Sequence, residues 1–327
     1  MRSEPEGRFH SADALPALRG SFREALRTTL TTFDRVPIEA EYRPRTGALE
    51  SRTTRPRDET AIVIAHGFSG SLDRPSVRRA AGVFAAHAAV VTFSFRGHGR
   101  SGGRCTVGDR EILDLAAAVA WARELGHRRV VTAGFSMGGS VVLRHAALYG
   151  PGAGPGRSLS RGRIEAREAH RAHAAYTQSD PHAPVNGVSA AGADAVAAVS
   201  APARWFYRGT VPMRRLHWVV SRPLGRAVGR YGLRTRIEPA AWDPVPLSPV
   251  EAVPLIAPAP LLIVHGDRDP YFPLDHPRAL AAAAGAGDPV RLWLEPGMGH
   301  AENAAGDRLL GRIGAWLADP ESAGDGS

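Results

Sequence analysis

The sequence predicts an α/β protein whose core is a doubly wound, mostly parallel β-sheet. Short apolar runs such as 61–65 and 261–264 contain no polar residue, which is typical of strands buried on both faces of a parallel sheet. Between such runs lie amphipathic patterns, as in 111–125, where apolar residues recur at helical spacing. Strands that alternate with helices favour parallel neighbours joined by crossover helices.

The first elements are predicted as a hairpin of half-exposed edge strands. Apolar and polar residues alternate over 36–42, and a second strand over 49–53 follows a turn. Residues 1–32 are assigned to an N-terminal segment, so that the domain spans 33–327. The later strands are predicted at 61–65, 89–95, 130–133, 195–199, 261–264 and 290–294, and the helices at 75–88, 111–125, 137–149 and 307–318.

Two stretches interrupt the alternation of strands and helices. Residues 150–192 begin with a run of Gly and Pro and continue rich in Ser, Arg, His and Ala, which is typical of a flexible insertion. Residues 203–250, here called the lid segment, contain helical pieces separated by prolines. We expect the lid segment to form a small helical lid over the ends of the strands.

Composition excludes several classes of protein. The 327-residue chain has a single cysteine, Cys105, so it forms neither an internal disulfide nor a cysteine-based zinc site. We expect no cofactor and no metal. Residues 1–39 lack the apolar run of a secretory signal, and the longest apolar stretch, 80–93, is shorter than the ~20 residues of a membrane span. These features indicate a cytoplasmic protein without a membrane span.

The formal charge of +9 is concentrated in one part of the chain. The sequence contains no lysine, and within 201–237 nine arginines occur without any Asp or Glu, while arginines and acidic residues balance elsewhere. An evenly basic chain would favour nucleic-acid binding, which this distribution argues against. Aromatic residues among these arginines favour an anionic substrate or surface, including peripheral membrane contact. The alternative is a solvated, arginine-rich face. Predicted substrate-binding residues are Arg214, Arg215 and Trp218.

A candidate nucleophile lies in 134–138, which matches the pattern G-x-S-x-G. In the strand-to-helix elbow that this pattern describes, the serine sits on a tight turn that needs small neighbours. Ser136 meets this requirement, because a predicted buried strand ends just before it and a predicted helix begins just after it. Residues 99–103 match the same pattern, but Ser101 leads into a glycine-rich loop. The context therefore favours Ser136.

A serine hydroxyl needs an imidazole to take its proton and a carboxylate to orient that imidazole. Asp267 and Asp269 follow the predicted strand 261–264, and His300 follows the predicted strand 290–294. The chain order Ser, Asp, His is the one expected for such an elbow. We predict His300 as the base and Asp269 as the acid, while Asp267 is expected to structure the turn.

Acyl transfer also requires two backbone N–H groups that stabilise the developing oxyanion. One is expected from Met137, the residue after the nucleophile, at a helix N-terminus. The second is expected from Phe68, in the loop after the strand 61–65, where Gly67 and Gly70 allow a close approach of the backbone.

The motifs together resemble the α/β-hydrolase superfamily, and more narrowly its esterase, lipase and serine-aminopeptidase-like branch. The residues that carry the resemblance are His66-Gly-Phe, Arg96-Gly-His-Gly-Arg-Ser, Gly134-Phe-Ser-Met-Gly-Gly, His265-Gly-Asp-Arg-Asp and Gly299-His300. The resemblance implies an eight-stranded sheet and assigns roles to five residues: nucleophile Ser136, acid Asp269, base His300, and oxyanion donors Phe68 and Met137. The insertion 150–192 departs from the family pattern, and the lid segment matches no particular substrate class.

We therefore expect a serine hydrolase that cleaves a small carboxylic ester or thioester through an acyl-enzyme. An aminopeptidase or amidase on the same triad is an alternative, but its lid would need carboxylates for a substrate amine, and none precedes Glu238. Dehalogenases and epoxide hydrolases normally use an aspartate nucleophile, which Ser136 argues against. A basic surface-binding protein with vestigial catalysis is the alternative from a different class.

Overall fold

One eight-stranded sheet organises the molecule, whose computed structural model describes residues 25–46, 59–150 and 191–320. The strands lie in the order β1-β2-β4-β3-β5-β6-β7-β8. Their bounds are β1 Leu26–Thr31, β2 Pro37–Arg43, β3 Thr60–Ala65, β4 Ala89–Phe93, β5 Arg129–Phe135, β6 Val196–Val199, β7 Leu261–Gly266 and β8 Val290–Glu295.

Six neighbouring strands of this sheet are parallel. The pairs β4–β3, β3–β5, β5–β6, β6–β7 and β7–β8 are parallel, and only the two pairs at the β1 end, β1–β2 and β2–β4, are antiparallel. Every residue of the central strands β3, β4, β6 and β7 is buried, as the unbroken apolar runs predict. The predicted fold class, doubly wound and mostly parallel, is confirmed.

Helices cover both faces of the sheet. Adjacent residues of β3 point to opposite faces: Val63 joins the core formed with α2 and α3, whereas Ile64 joins the core formed with α1 and α9. The helices are α1 Pro75–Phe84, α2 Glu111–Glu124, α3 Met137–Tyr149, α4 Val211–Ser221, α5 Pro223–Tyr231, α6 Pro249–Ala252, α7 Asp275–Ala282, α8 Ala301–Ala304 and α9 Asp307–Ala318.

The beginning of the domain differs from the sequence prediction. The antiparallel partner of β2 is β1, which lies within the predicted N-terminal segment 1–32, so the sheet starts before residue 33. The predicted partner 49–53 lies outside the described residues. Strand β2 is not an edge strand, since it lies between β1 and β4. Strand β1 was missed because it carries only two apolar residues, Leu26 and Leu30, among Arg and Thr.

The two stretches predicted to interrupt the alternation of strands and helices differ in how much of them the structure describes. Of the predicted insertion 150–192, residues 151–190 lie outside the described residues. The lid segment contains α4 and α5 and is attached to the rest of the domain at both ends. Near its start, the Thr210 hydroxyl donates to the carbonyl of Tyr271 (3.0 Å), and further along the Glu238 N–H donates to the carbonyl of Cys105 (2.9 Å). Within the described ranges, no helix has the length and hydrophobicity needed to span a membrane.

Candidate active site

Ser136 lies on a sharp turn between β5 and α3. Its backbone has φ 52° and ψ −113°, a strained conformation for a residue other than glycine, which costs about 1–3 kcal/mol. The turn is tight because a Cβ atom on Gly134 would lie 2.2 Å from the carbonyl oxygen of Gly138, and one on Gly138 would lie 2.1 Å from that of Ala65. Both glycines of the predicted elbow are therefore sterically required.

A Gly138→Ala substitution should destabilise the fold by about 3 kcal/mol or more, because the added methyl group meets rigid backbone. Gly82→Ala is the matched control: its Cβ would have its nearest contact at 3.9 Å, with the flexible end of Arg43. In the interior of α1 this control should stabilise by about 0.5–1 kcal/mol. Urea denaturation of both variants measures the difference, and equal midpoints would contradict the tight-turn geometry.

The structure brings Ser136, His300 and Asp269 into one hydrogen-bonded chain. His300 Nε2 lies 2.8 Å from Ser136 Oγ, and His300 Nδ1 lies 2.7 Å from Asp269 Oδ2. His300 immediately precedes α8, where the Ala301 N–H donates to Ser200 Oγ (3.1 Å) and so ties the loop to the end of β6. The three side chains come from the loops after β5, β7 and β8, at one edge of the sheet.

The electrostatics fix the direction of the hydrogen bonds. The carboxylate of Asp269 is buried, and its second oxygen, Oδ1, accepts the N–H groups of Tyr271 (2.8 Å) and Phe272 (3.1 Å). Burial opposes its ionisation, but the bond to His300 and these N–H groups outweigh it and lower the pKa of Asp269. Because an ionised carboxylate only accepts, Nδ1 of His300 carries the proton and Nε2 accepts from the Ser136 hydroxyl.

Asp267, the other candidate acid, makes a different contact. Its Oδ1 accepts the N–H of Gly297 at 2.6 Å, which joins the loop after β7 to the loop after β8. Ser101, the serine of the second G-x-S-x-G match, is buried and donates to the carbonyl of Ser94 (2.6 Å). Both side chains therefore hold loops together.

The geometry of the loop after β3 suits an oxyanion donor. The carbonyl of Gly67 accepts the N–H of Gly70 (3.0 Å) and Nδ1–H of His66 (2.7 Å). Since a trans peptide directs its C=O and N–H oppositely, these bonds turn the N–H of Phe68 away from them. Gly67 itself lies against Ser136, because a Cβ atom built on it would be 3.4 Å from Ser136 Cβ. Met137, the other predicted donor, begins α3.

His66 keeps this loop in place through a fixed tautomer. Its Nε2 accepts the N–H of Phe95 at 3.0 Å, so the proton resides on Nδ1, which donates to Gly67. Burial, and secondly the neighbouring His98, lower the pKa of His66 to about 3. The ring therefore stays neutral over the pH range in which esters are usually assayed.

Two residues at the site escaped the sequence prediction. Tyr271 lies against the His300 ring, with centroids 4.3 Å apart and 32° between the planes. Glu302 is buried next to the loop after β3, where its Oε1 accepts the Gly67 N–H at 3.4 Å, and its Oε2 has no hydrogen-bond partner in the described part of the chain. Burial raises the pKa of Glu302. The only signal in the sequence that could have pointed to them is their position: Tyr271 comes soon after Asp269, and Glu302 comes soon after His300.

Glu302→Gln and Glu302→Ala should separate the hydrogen bond of Glu302 from its charge. Because burial raises the pKa of Glu302 in the fold, its protonated form stabilises the fold at low pH, and that contribution is lost as pH rises from the pKa of the unfolded chain through the folded pKa. The Gln variant keeps an acceptor for Gly67 and does not ionise, so its thermal stability relative to wild type should rise as pH rises above the usual range of a glutamate. The Ala variant should lose about 1–3 kcal/mol. A stability difference between wild type and Gln that is independent of pH would contradict this account.

The predicted substrate-binding residues of the lid segment are exposed. Arg214 donates to the carbonyls of Arg208 (3.3 Å) and Gly209 (3.2 Å) in its own turn, and Arg215 and Trp218 lie on the open side of α4. Among the residues described, no hydrogen bond, ion pair or ring contact joins any of the three to the Ser136–His300–Asp269 chain. Their role in substrate binding stays a prediction.

Comparison with known proteins agrees with the observed fold. The family model described as "Alpha/beta hydrolase family" matches residues 62–310. A search of curated proteins returned no match. Among solved structures, esterase Pf2001 of Pyrococcus furiosus is similar with TM-score 0.58 and 19% identity, over 90% of this chain and 92% of that one. Est1E of Butyrivibrio proteoclasticus, solved with ferulic acid, is similar with TM-score 0.53 and 17% identity, over 90% and 99%. The family model covers most of the chain, which therefore belongs to the alpha/beta hydrolase family.

Proposed function

We propose that this hydrolase cleaves carboxylic esters or thioesters through an acyl-enzyme on Ser136. The observation that carries the proposal is the continuous chain from Ser136 Oγ through His300 to the buried Asp269, with links of 2.8 and 2.7 Å, on a strained elbow. The similar fold of esterase Pf2001 of Pyrococcus furiosus adds support.

In the first half of the reaction, Ser136 Oγ attacks the acyl carbon while His300 Nε2 takes the hydroxyl proton. The negative charge that develops on the acyl oxygen is stabilised by the N–H groups of Met137 and Phe68, each worth about 3 kcal/mol in such sites. When the tetrahedral intermediate collapses, His300 returns its proton to the leaving alcohol or thiol. Asp269, ionised and bonded to Nδ1, stabilises the imidazolium between these steps.

In the second half, water replaces the alcohol or thiol. His300 takes a proton from the water as its oxygen attacks the acyl carbon, and the same N–H groups stabilise the second intermediate. Collapse of that intermediate breaks the bond to Ser136 Oγ, releases the carboxylic acid, and returns the proton to Ser136.

The charge of the lid segment supports esters over aminopeptidase substrates. A free α-amino group on a substrate needs a carboxylate partner, whereas residues 201–237 supply only arginines. Arginine side chains complement anionic groups instead. Arg214, Arg215 and Trp218 are proposed to receive an anionic part of the substrate.

Hydrolysis of p-nitrophenyl butyrate by three proteins tests the proposal. Wild type should turn over the ester, and Ser136→Ala should lose about 10⁴-fold or more in kcat. Ser101→Ala removes the serine of the other G-x-S-x-G match and is the matched control, in which the loss should be small once its folded fraction is measured. Equal activity of Ser136→Ala and wild type would refute the acyl-enzyme.

A further inference from the structure

Exposed apolar side chains are concentrated on the two helices of the lid segment and the turn before them. Of the eight most exposed large apolar residues in the described part of the chain, six lie between residues 206 and 231. They are Phe206, Val211, Trp218, Leu224, Val228 and Tyr231. An apolar patch gathered in this way on a surface marks an interaction site rather than chance exposure.

Helix α5 packs against the protein through glycines instead of its apolar side chains. A Cβ atom on Gly225 would lie 2.3 Å from the carbonyl oxygen of Trp218, and one on Gly229 would lie 2.7 Å from Ile237 Cδ1. These two glycines, four residues apart, therefore form the inner face of the helix. No larger side chain fits there without displacing α4 or Ile237.

The apolar side chains of α5 point to solvent instead. Leu224, Val228 and Tyr231 are 69%, 44% and 79% exposed, and their spacing places them on one face of the helix. A helix of a protein that works only in water would be expected to bury this stripe and expose the opposite face. The inverted packing of α5 indicates that its apolar face is covered by something else.

The charge of the two lid helices selects the occupant. Arg222, Arg226 and Arg230 recur every four residues along α5, on the side opposite its apolar stripe, as on the polar face of a basic amphipathic helix. Arg214 and Arg215 lie on either side of the exposed Trp218 face of α4. Among the nine arginines of 201–237, only Arg204 forms an ion pair with a carboxylate within the described residues. Of the others, Arg214, Arg226 and Arg236 donate to backbone carbonyls, which carry no full charge. The surface therefore keeps a net positive charge, so the occupant is anionic.

Two alternative occupants fit less well. A second copy of the chain would bring two arginine-rich, acid-free surfaces together, and like charges at such an interface repel. A nucleic acid would satisfy the arginines, but its phosphates offer nothing to an aliphatic stripe of Leu224 and Val228. A phospholipid bilayer supplies both an anionic headgroup layer and an apolar interior directly below it.

We propose that α4 and α5 dock on the surface of an anionic phospholipid bilayer. Leu224, Val228 and Tyr231 enter the boundary between headgroups and acyl chains, and the arginines extend to the lipid phosphates. Thr210, which caps the N-terminus of α4, donates to the carbonyl of Tyr271 in the loop beside His300, so the docked surface adjoins the candidate active site. Docking itself does not depend on the proposed catalysis.

Flotation of the full-length protein with lipid vesicles tests the proposal. The protein should float with vesicles of phosphatidylcholine mixed with phosphatidylglycerol and stay at the bottom with pure phosphatidylcholine. Binding should weaken as salt rises from about 0.1 M to about 0.5 M, because counterions screen the arginines. Failure to float with the anionic vesicles, or equal flotation with both kinds, overturns the proposal.

Paired variants separate the apolar from the charged contribution. Two double variants should each lower vesicle affinity about tenfold or more. One combines Leu224→Ser with Tyr231→Ser, and the other combines Arg222→Glu with Arg230→Glu. The matched controls are Leu294→Ser and Arg278→Glu, an exposed apolar residue and an exposed arginine outside the lid segment, which should bind as wild type does.

All variants should keep their circular dichroism and their thermal midpoint, since the changed side chains are exposed. Retention of wild-type affinity by both double variants overturns the proposal. So does a dimer in gel filtration that disappears with Leu224→Ser and Tyr231→Ser, because the apolar face is then covered by a second copy of the chain.

Discussion

Asp269→Asn is expected to lower kcat for p-nitrophenyl butyrate by about 10⁴-fold with little change in KM. An asparagine amide can donate to Nδ1 of His300, and the imidazole then carries its proton on Nε2, where it cannot accept from Ser136. The side chain keeps its volume, so the loop after β7 should retain its shape. Steady-state kinetics near neutral pH give the comparison.

The matched control for this prediction is Asp267→Asn. Within the described residues its carboxylate accepts one hydrogen bond, from the Gly297 N–H in the loop after β8, and an asparagine oxygen can accept the same bond. Activity of this control should therefore stay within about threefold of wild type. A comparable loss in both variants would mean that Asp269 acts through loop structure rather than through the tautomer of His300.

The lowered pKa of Asp269 also predicts that the stability of the fold decreases at acidic pH. Its pKa is lowered in the fold, so its contribution is complete above the pKa of the unfolded chain and is lost as pH falls through the folded pKa. Thermal unfolding of wild type and Asp269→Asn should therefore converge on acidification.

Arg96→Met is expected to destabilise the fold by about 3–5 kcal/mol. The guanidinium, in the loop after β4, binds both oxygens of Asp34 at 2.6 and 2.9 Å and also binds Asp114 on α2 at 2.8 and 2.9 Å. Burial would lower the pKa of Arg96, but the two carboxylates raise it and keep the guanidinium charged. Without Arg96, the fully buried Asp114 side chain is left without its counter-ion.

Arg27→Met is the matched control for this second prediction. Arg27 also bridges two carboxylates, Glu41 and Asp73, both at 2.6 Å, but its side chain is 42% exposed, against 3% for Arg96. Water screens this exposed pair, so its loss should cost no more than about 1 kcal/mol. Urea denaturation gives both values, and equal destabilisation would contradict the assignment of Arg96 as the buried link between β2, β4 and α2.

The parts of the fold that the sequence predicted well are those with local signals. Strands β3 and β7 are unbroken apolar runs, and the glycines around Ser136 are demanded by the turn itself, so pattern and structure agree. Strand β1 carries no such run, and only its pairing with β2 makes it part of the sheet. Strand β2 pairs with β1 and β4, while the predicted hairpin partner at 49–53 lies outside the described residues. Local patterns do not show such pairing, because it is decided by residues distant in the chain.

The site shows the same division. Ser136, Asp269 and His300 stand out through motif, strand position and chain order, and the structure brings them together. Glu302 approaches Gly67 from 235 positions away in the chain, and no local pattern records such a contact. The glycine-packed, apolar-outward orientation of α5 was likewise beyond the sequence, because periodicity shows that a helix has an apolar face but not which way that face points.

Covalent labelling with a fluorophosphonate, followed by peptide mapping, tests whether Ser136 is the reactive serine of this protein. The reagent modifies a serine only where a base activates the hydroxyl and an oxyanion site receives the phosphoryl oxygen. We expect one adduct per chain, located on Ser136 and greatly slowed in Asp269→Asn. A folded protein that stays unlabelled, or that carries its adduct on another serine such as Ser101, would contradict the account.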